Sequence, residues 1–347
     1  MPALPTLGHL ATLTDDVGII QHAMESVPNR RTGYCTDDVA RAFIVALQAL
    51  QLVPRDEAAA RFASTYLAFL EDAQLDDGRF HNFMSYERSW LDEVGTQDSC
   101  GRAMWALGYG VRHAPREPWR RVCRALLDRS LRAIETFEYL RPRAYAISGL
   151  VHAFPALHET AYASALRHLA DGLAQAYERT RDEQWAWFEP AMTYDNARLP
   201  EALLRAGQTL GERHLSDLGL VTLAFYERTT LENGVFVPIG NEGWFPRGGE
   251  RAVYQQQPLE AYAMIDAELA AYDATSDAGH VANAETALAW YYGKNTRGII
   301  MAHDGGCYDG LGQDGANRNM GAESTLALLA SSYTTALRQS RTLRAVR

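Results

Sequence analysis

The chain has 347 residues, 47% of them hydrophobic and 22% charged, with a formal net charge of −10. This composition is typical of a globular protein with a sizeable core and excludes extensive disorder. Because nucleic acids bind through clustered cationic residues that offset phosphate charge, the acidic balance excludes a nucleic-acid partner.

Six short segments along the chain begin apolar stretches with helical periodicity. The two clearest, 36–42 and 97–103, place an acidic residue at the start of the run, as at a helix N-terminus. Weaker versions follow near 143–145, 194–197, 255–260 and 319–323. Their intervals of about 45–65 residues indicate a repeated helical unit.

Amphipathic segments between these openings predict a second helix in each unit; they span 57–70, 119–137, 161–177, 215–229 and 279–292. Helices at the openings are richer in apolar and small residues, so we expect a buried inner ring and an outer ring. The sequence predicts an all-α (α/α)6 toroid of about twelve helices, a single domain over 1–347. Short extended pieces are expected in loops at 80–84, 234–238 and 299–302. A two-layer solenoid is the alternative, but it would need polar capping repeats.

Long loops rich in glycine and aromatic residues precede several inner helices, at 76–95, 185–194, 233–254 and 302–319. Loops longer than about 12–15 residues in a compact domain are usually functional. If all of them enter inner helices at their N-termini, they gather at one mouth of the ring. That mouth is the predicted site.

The first two openings supply paired and single carboxylates, Asp37 with Asp38 and then Asp98. Helix capping explains one carboxylate of a pair well and two less well. Asp38 and Asp98 are therefore candidate catalytic residues, and Asp37 is a candidate substrate contact. Capping remains the alternative for each.

The segment 185–196 has the densest mixture of aromatic and acidic residues. Rings stack on sugar faces while carboxylates and amides bind hydroxyl groups, so this mixture favours a saccharide subsite. Glu189, flanked by rings and a proline, would lose hydration, which favours the neutral form that a general acid needs. Trp187, Tyr194 and Asn196 are candidate substrate contacts. Core packing of the rings with a surface Glu189 is the alternative.

A loop carboxylate and ring, Glu242 and Trp244, repeat this combination, and Gln256 follows at a helix start. All three are candidate substrate contacts, because carboxylates and amides hydrogen-bond sugar hydroxyl groups. A solvated turn explains the glutamine equally well.

The glycine-rich segment near the C-terminal end adds His303 and Asp309 as candidate substrate contacts, with Glu323 at the following helix start. An unpaired charge is costly inside a helical ring, so Glu323 should face Arg41 or Arg102 from other inner helices. These residues are candidate substrate contacts too, although a structural salt bridge explains them at least as well as catalysis.

Several other site types have no support in the sequence. His22, His81 and His303 show no ligand spacing, and the four cysteines show no C-x-x-C spacing, so no metal site is predicted. Because nucleotide and serine-nucleophile fingerprints are missing as well, we expect no cofactor. No run of about 18 apolar residues and no signal-like N-terminus occur, which predicts a cytoplasmic protein without membrane association.

Four segments carry a resemblance to a known family: DDVGIIQHA at 15–23, GYCTDDVARA at 33–42, TYDNARLPEAL at 193–203 and GAESTL at 321–326. Over nearly its whole length the chain resembles a bacterial family of six-hairpin, glycosidase-like proteins. Members resemble domains attached to, or encoded near, glycosyltransferases and mannoside phosphorylases. The resemblance implies the (α/α)6 fold, a carbohydrate ligand such as a mannose-containing oligosaccharide, and a functional association with a glycosyltransferase or phosphorylase. Since the chain has no Rossmann-like half, transfer from a nucleotide sugar is not expected.

The leading hypothesis is a glycoside hydrolase acting on a short oligosaccharide through two carboxylates. Glu189 is the candidate acid and Asp38 or Asp98 the candidate base, with Glu242 and Glu323 in reserve. An inverting mechanism, which we favour, places acid and base about 6.5–9.5 Å apart.

Two other functions remain open, because toroids of this type carry several chemistries. A sugar epimerase or isomerase would need a base such as His22, His81 or His303 near a sugar carbon. A non-catalytic saccharide-binding module would serve a glycosyltransferase partner and would stack ligands without a convergent carboxylate pair.

Overall fold

The computed structural model describes residues 3–345, with side chains described to residue 340. Twelve α-helices lie within these residues: α1 (Gly8–Leu13), α2 (Thr36–Leu52), α3 (Glu57–Ala73), α4 (Gln97–His113), α5 (Glu117–Ser130), α6 (Leu140–Leu157), α7 (Thr160–Thr180), α8 (Arg198–Leu210), α9 (Arg213–Thr230), α10 (Pro258–Thr275), α11 (Ala278–Ala289) and α12 (Ala322–Ala345). Two 3-10 helices span Arg30–Thr32 and Leu131–Thr136. None of the described helices is long and apolar enough to cross a membrane.

Short antiparallel strand pairs stiffen the loops between helices. They pair β1 (Ala23–Met24) with β2 (Val27–Pro28), β3 (Tyr34–Cys35) with β4 (Phe83–Met84), β5 (Ala191–Met192) with β8 (Phe245–Pro246), β6 (Leu231–Glu232) with β7 (Val235–Phe236), β9 (Ala302–His303) with β10 (Gly306–Cys307), and β11 (Gly310–Leu311) with β12 (Ala316–Asn317). Extended pieces were expected at 80–84, 234–238 and 299–302; β4 and β7 lie within the first two ranges, and β9 overlaps the third only at Ala302.

The chain forms two compact units. The first contains the described residues up to Thr136 together with Ala302–Tyr308 and those from Arg318 onward. The second contains Phe137–Met301 and Asp309–Asn317. A single domain over 1–347 stays a prediction.

In the first unit, α2 packs between α12 and α4, while α3 and α5 cover α2 and α4. The short helix α1 packs on α12. A His9 Nε2 contact with the Met320 carbonyl at 2.7 Å and a hydrogen bond from the Tyr333 hydroxyl to the Pro5 carbonyl at 3.0 Å hold this N-terminal segment. The N-terminal segment, which contains α1, therefore packs against α12, as α2 does.

In the second unit, α8 packs between α6 and α10, and α7, α9 and α11 each pair with the preceding even-numbered helix. The even-numbered helices are buried over most of their surface, whereas the odd-numbered ones bury one face. This alternation confirms the two helix sets expected from composition. Helix α8 begins only at Arg198, because Asp195 has a left-handed φ of 47° that no α-helix accommodates.

Gly33 directs the chain into β3 and α2, and its φ of +62° is left-handed. A Cβ atom there would lie 2.1 Å from the Met84 carbonyl oxygen. We expect Gly33→Ala to lower the free energy of unfolding by more than the roughly 1–2 kcal/mol of left-handed strain alone. Gly248, with φ +76° and no atom within 4 Å of an added Cβ, supplies the control. Equal losses for the two alanine variants in urea denaturation would contradict this expectation.

Candidate active site

The first turns of α2, α4 and α12 bring acidic side chains together in the first unit. Asp37 and Asp38 lie in α2, Asp98 in α4 and Glu323 in α12. We call these residues, with Arg41 and Arg102, the carboxylate cluster. The cap of α2 is Cys35, without a side-chain hydrogen bond, and Thr96 caps α4 by accepting from the Ser99 amide at 3.1 Å. None of the three aspartates is therefore an N-cap residue, although all three lie in a first turn, where the helix dipole favours a negative charge.

Arg41 joins two helices of the cluster through a pair of ion pairs. Its Nη1 lies 2.8 Å from Asp38 Oδ1, and its Nη2 lies 2.8 Å from Glu323 Oε2. The expected cationic partner of Glu323 is thus confirmed as Arg41. Asp38 and Arg41 are nearly buried, whereas the Glu323 side chain is 35% exposed.

Burial controls the protonation of this cluster. Desolvation raises the pKa of Asp38 from 3.8 to about 7, against the opposing charge of Arg41 and with the added repulsion of Glu323. Burial also raises the pKa of Asp37, while Arg102 and Arg41 oppose the rise and Asp98 adds to it. Asp38 therefore exchanges its proton near neutral pH, where acid catalysis is most efficient.

One carboxylate oxygen of the cluster has no hydrogen-bond donor within the described residues. Asp37 Oδ1 is buried and accepts no hydrogen bond within the described residues. An unsatisfied buried acceptor costs about 1–3 kcal/mol. A donor such as a sugar hydroxyl would remove that cost, so Asp37 fits the substrate-contact role predicted from the sequence.

The raised pKa of Asp38 predicts a pH dependence of stability. Between about pH 4 and pH 7 the folded protein keeps a proton on Asp38 that the unfolded chain has lost, so this group's contribution falls as the pH rises through that window. We expect Asp38→Asn to gain stability relative to the parent protein over the same window. Urea denaturation from pH 4.5 to 8 measures the difference. A difference that is independent of pH would contradict the assignment.

A histidine–aspartate pair lies beside the start of α2. His81 Nδ1 is 2.8 Å from the Asp92 carbonyl and 3.2 Å from Asp92 Oδ1, and the imidazole stacks on Trp90 at 4.7 Å. The Thr36 hydroxyl donates to the His81 carbonyl at 2.7 Å, which ties this loop to α2. Sequence analysis named His81 but missed Asp92, because no spacing signal links the two residues.

The two other candidate histidines of the first unit, His303 and His22, lie near the segment that leads into α12. His303 lies on β9 with its ring 4.5 Å from Tyr308. The Ser324 hydroxyl donates to the Cys307 carbonyl at 2.8 Å and so joins the β9–β10 turn to α12. His22 Nδ1 lies 3.2 Å from Asn319 Nδ2. These contacts place His303 near the start of α12.

In the second unit, Arg141 of α6 organises the loop before α8. It forms an ion pair with Glu189, donates to the Tyr194 carbonyl at 2.9 Å and lies 5.0 Å from the Tyr194 ring centre. The sequence analysis placed a helix opening near 143–145 and missed Arg141; Arg143 donates instead to the Phe137 carbonyl.

A second buried carboxylate, Glu260 at the start of α10, binds the same loop. It accepts from the Tyr226 hydroxyl at 2.9 Å and from the backbone amides of Asp195 and Asn196. Burial raises the pKa of Glu260 to about 7, and the Asp195 charge adds to the rise. Because its oxygens accept hydrogen bonds from the loop amides, Glu260 stabilises the left-handed turn at Asp195.

Three predicted substrate contacts of the second unit are buried side chains. Trp187 is fully buried with its ring 5.9 Å from Tyr226, so it offers no face to a sugar. The buried Asn196 amide bonds Thr193 N at 2.9 Å and Thr193 O at 3.0 Å. Gln256, also buried, accepts from the Trp290 indole at 2.7 Å. Core contacts thus engage the amides of Asn196 and Gln256, whereas the buried Trp187 Nε1 has no hydrogen-bond partner within the described residues, and substrate contact by the three side chains stays a prediction.

The other predicted contacts of the second unit lie nearer the surface. Glu242 and Trp244 are exposed on the loop before α10, Trp244 at 41%. Tyr194 is half-buried, and Asp309 Oδ2 accepts from Asn317 Nδ2 at 3.4 Å. The catalytic candidates are divided, with Asp38 and Asp98 in the first unit and Glu189 in the second.

A cavity of about 800 Å³ also opens in the second unit. Its aromatic lining is Trp185, Phe225 and Phe245, and the Trp185 ring packs edge-on against Phe225 at 5.4 Å and Phe245 at 5.3 Å. The Trp185 indole donates to the Glu189 carbonyl at 2.7 Å. The rings are thus used in packing, and none of the predicted catalytic carboxylates lines this cavity.

Alternating buried and half-exposed helices, joined by long loops, define an all-α protein of helical hairpins. No family model matches the chain, and no curated protein matches it in sequence. Solved structures do match it in fold. A D-mannose isomerase has a TM-score of 0.74 at 12% identity, over 96% of this chain and 95% of that one.

Two further solved structures match over nearly the whole chain. Cellobiose 2-epimerase from Bacillus thermoamylovorans has a TM-score of 0.72 at 12% identity, over 95% of this chain and 96% of that one. A family 76 α-mannanase from Bacteroides thetaiotaomicron has a TM-score of 0.68 at 10% identity, over 97% and 95%. The chain has the (α/α)6 fold of six-hairpin, glycosidase-like proteins, which confirms the predicted fold class.

Proposed function

We propose that this protein is a carbohydrate-active enzyme, a glycoside hydrolase that acts on a short, mannose-containing oligosaccharide. The structural neighbours named above are an isomerase, an epimerase and a mannanase of sugars, which supports a saccharide substrate. Because one fold carries many reactions, the choice of hydrolysis depends on the site.

The observation that carries this proposal is the proton-exchanging carboxyl of Asp38 beside the unsatisfied oxygen of Asp37. Asp38 acts as the general acid that protonates the leaving oxygen, and Asp98 as the base that activates water. Asp37 binds a sugar hydroxyl through Oδ1. Arg41 fixes Asp38 by its ion pair and is itself fixed by Glu323.

These roles revise the sequence hypothesis, in which Glu189 was the acid. The Glu189 carboxylate is already engaged in an ion pair with Arg141, so we assign Glu189 to substrate binding and not to proton donation. The inverting outcome and the association with a glycosyltransferase or phosphorylase remain proposals.

A product assay on a panel of α- and β-linked manno- and gluco-oligosaccharides tests the proposal. We expect hydrolysis of at least one member, with the anomer of the first-formed product identified by proton NMR. Asp37→Asn should raise KM more than it lowers kcat, because Asp37 binds rather than transfers a proton. Glu57→Gln, an exposed first-turn carboxylate of α3, is the matched control. Release of no product from any substrate would contradict hydrolysis.

A sugar epimerase or isomerase is the second candidate, and the pairing of His81 with Asp92 favours it. Asp92 faces Nδ1, which leaves Nε2 of a neutral imidazole as the proton acceptor. Incubation with mannose, glucose or cellobiose in deuterated water would then give an isomerised, deuterated product. Loss of that product in His81→Gln but not in Asp38→Asn would favour this reaction over hydrolysis. Binding without any product would favour the saccharide-binding module.

A further inference from the structure

Three potential ligands converge where α9, α10 and α11 pack together in the second unit. Glu227 lies in the last turn of α9, Glu268 within α10 and His280 near the start of α11. His280 Nδ1 is 2.6 Å from Glu268 Oε2 and 3.4 Å from Glu227 Oε1. One ligand atom from each residue lies within 4.8 Å of the others.

The group holds two carboxyl groups and one imidazole. Among the described residues, no lysine or arginine forms an ion pair with Glu227 or Glu268, so one imidazole faces both. The Glu268 side chain is fully buried, and its Oε1 accepts no hydrogen bond within the described residues. A buried carboxylate with an unsatisfied oxygen is costly unless a cation or a donor reaches it.

We propose that Glu227, Glu268 and His280 bind one divalent transition-metal ion of the Zn²⁺ class. Imidazole nitrogen with carboxylate oxygens suits such ions, whereas Mg²⁺ and Ca²⁺ prefer oxygen ligands alone. Ligand atoms of a tetrahedral zinc site lie about 3.4 Å apart, so His280 and Glu268 need to separate by less than about 1 Å.

The surrounding side chains fit such a site. Asn283 Nδ2 donates to Glu227 Oε1 at 3.4 Å, which orients that carboxylate. The side chains of Glu227 and His280 are 20% and 17% exposed, so an ion can enter from solvent. The bound ion ties two half-exposed helices to the buried α10, and its role is structural and separate from the carboxylate cluster.

Zn²⁺ alone, added to chelator-treated full-length protein, tests the proposal by calorimetry and thermal unfolding. We expect one equivalent to bind and to raise Tm, since an ion that binds only the folded state stabilises it. His280→Gln should weaken binding by more than about tenfold. Glu227→Gln should do the same and keeps the test decisive if the histidine variant fails to fold. Mg²⁺ should produce neither effect.

His168→Gln, an exposed histidine of α7, is the matched control and should bind Zn²⁺ like the parent protein. Unchanged Zn²⁺ affinity in His280→Gln and Glu227→Gln would overturn the proposal. So would an unchanged Tm of the parent protein with Zn²⁺, which would leave the three groups as a hydrogen-bonded ion pair.

Discussion

Asp38→Asn should lower kcat for oligosaccharide hydrolysis by about 10²- to 10⁴-fold, with little change in KM. An amide keeps the size of the side chain and its oxygen contact with Arg41, but it has no acidic proton to transfer to the leaving oxygen. Because the Asp38 pKa is about 7, the parent activity should fall as the pH rises above neutrality. The pH profile of Asp38→Asn activity should not show this fall above neutral pH.

Steady-state kinetics from pH 5 to 9 measure both effects, with Glu57→Gln as the matched first-turn control. A substrate with a good leaving group, such as a nitrophenyl glycoside, needs less protonation and should restore part of the kcat. Full activity of Asp38→Asn at every pH would remove the proposed acid. If Asp38→Asn stays active and only Glu189→Gln loses activity, Glu189 of the second unit is the general acid.

The largest effect on stability is expected at Arg198, the buried cation at the start of α8. It lies 2.7 Å from Asp266, 2.8 Å from Glu201 and 3.5 Å from Asp195, and 4.3 Å from the Tyr262 ring centre. Arg198→Met would leave three buried carboxylates without this cation. Removing one partner of a buried ion pair costs about 3–5 kcal/mol, so the free energy of unfolding should fall by at least that much.

Urea denaturation measures this loss, and two variants make it specific. Arg213→Met removes an exposed arginine 3.6 Å from Asp217 and should cost less than about 1 kcal/mol. Adding Asp266→Leu to Arg198→Met removes one stranded charge, so the double variant should be more stable than the sum of the single effects. Strictly additive losses would show that the charges do not interact.

Helix starts and the carboxylate cluster were predictable because their signals are local. The acidic openings at α2, α4 and α12 recur along the chain, and a fold of helix pairs places such openings together. The cationic partner of Glu323 was predictable because an unpaired buried charge is costly and a cation such as Arg41 offsets that cost.

The remaining contacts depend on packing between residues far apart in sequence. Arg141 meets Glu189, and Glu260 meets the turn at Asp195, only after α6, α8 and α10 have assembled. Burial could not be predicted from the sequence either. Trp187 and Gln256 are residue types that are common in sugar-binding sites, but both lie in the core. Residue type alone does not distinguish a ring that faces solvent from one that packs inward.

The pairing of α1 with α12 has a consequence for folding during synthesis. His9 meets Met320, and Pro5 meets Tyr333, so these contacts form only after the ribosome has made residues 311 and 328 positions further along the chain. Until then α1, whose Leu10 and Leu13 are buried in the folded protein, lacks its contacts with α12. We expect the nascent first unit to engage chaperones until α12 has left the ribosome, and to become protease-resistant only after that point.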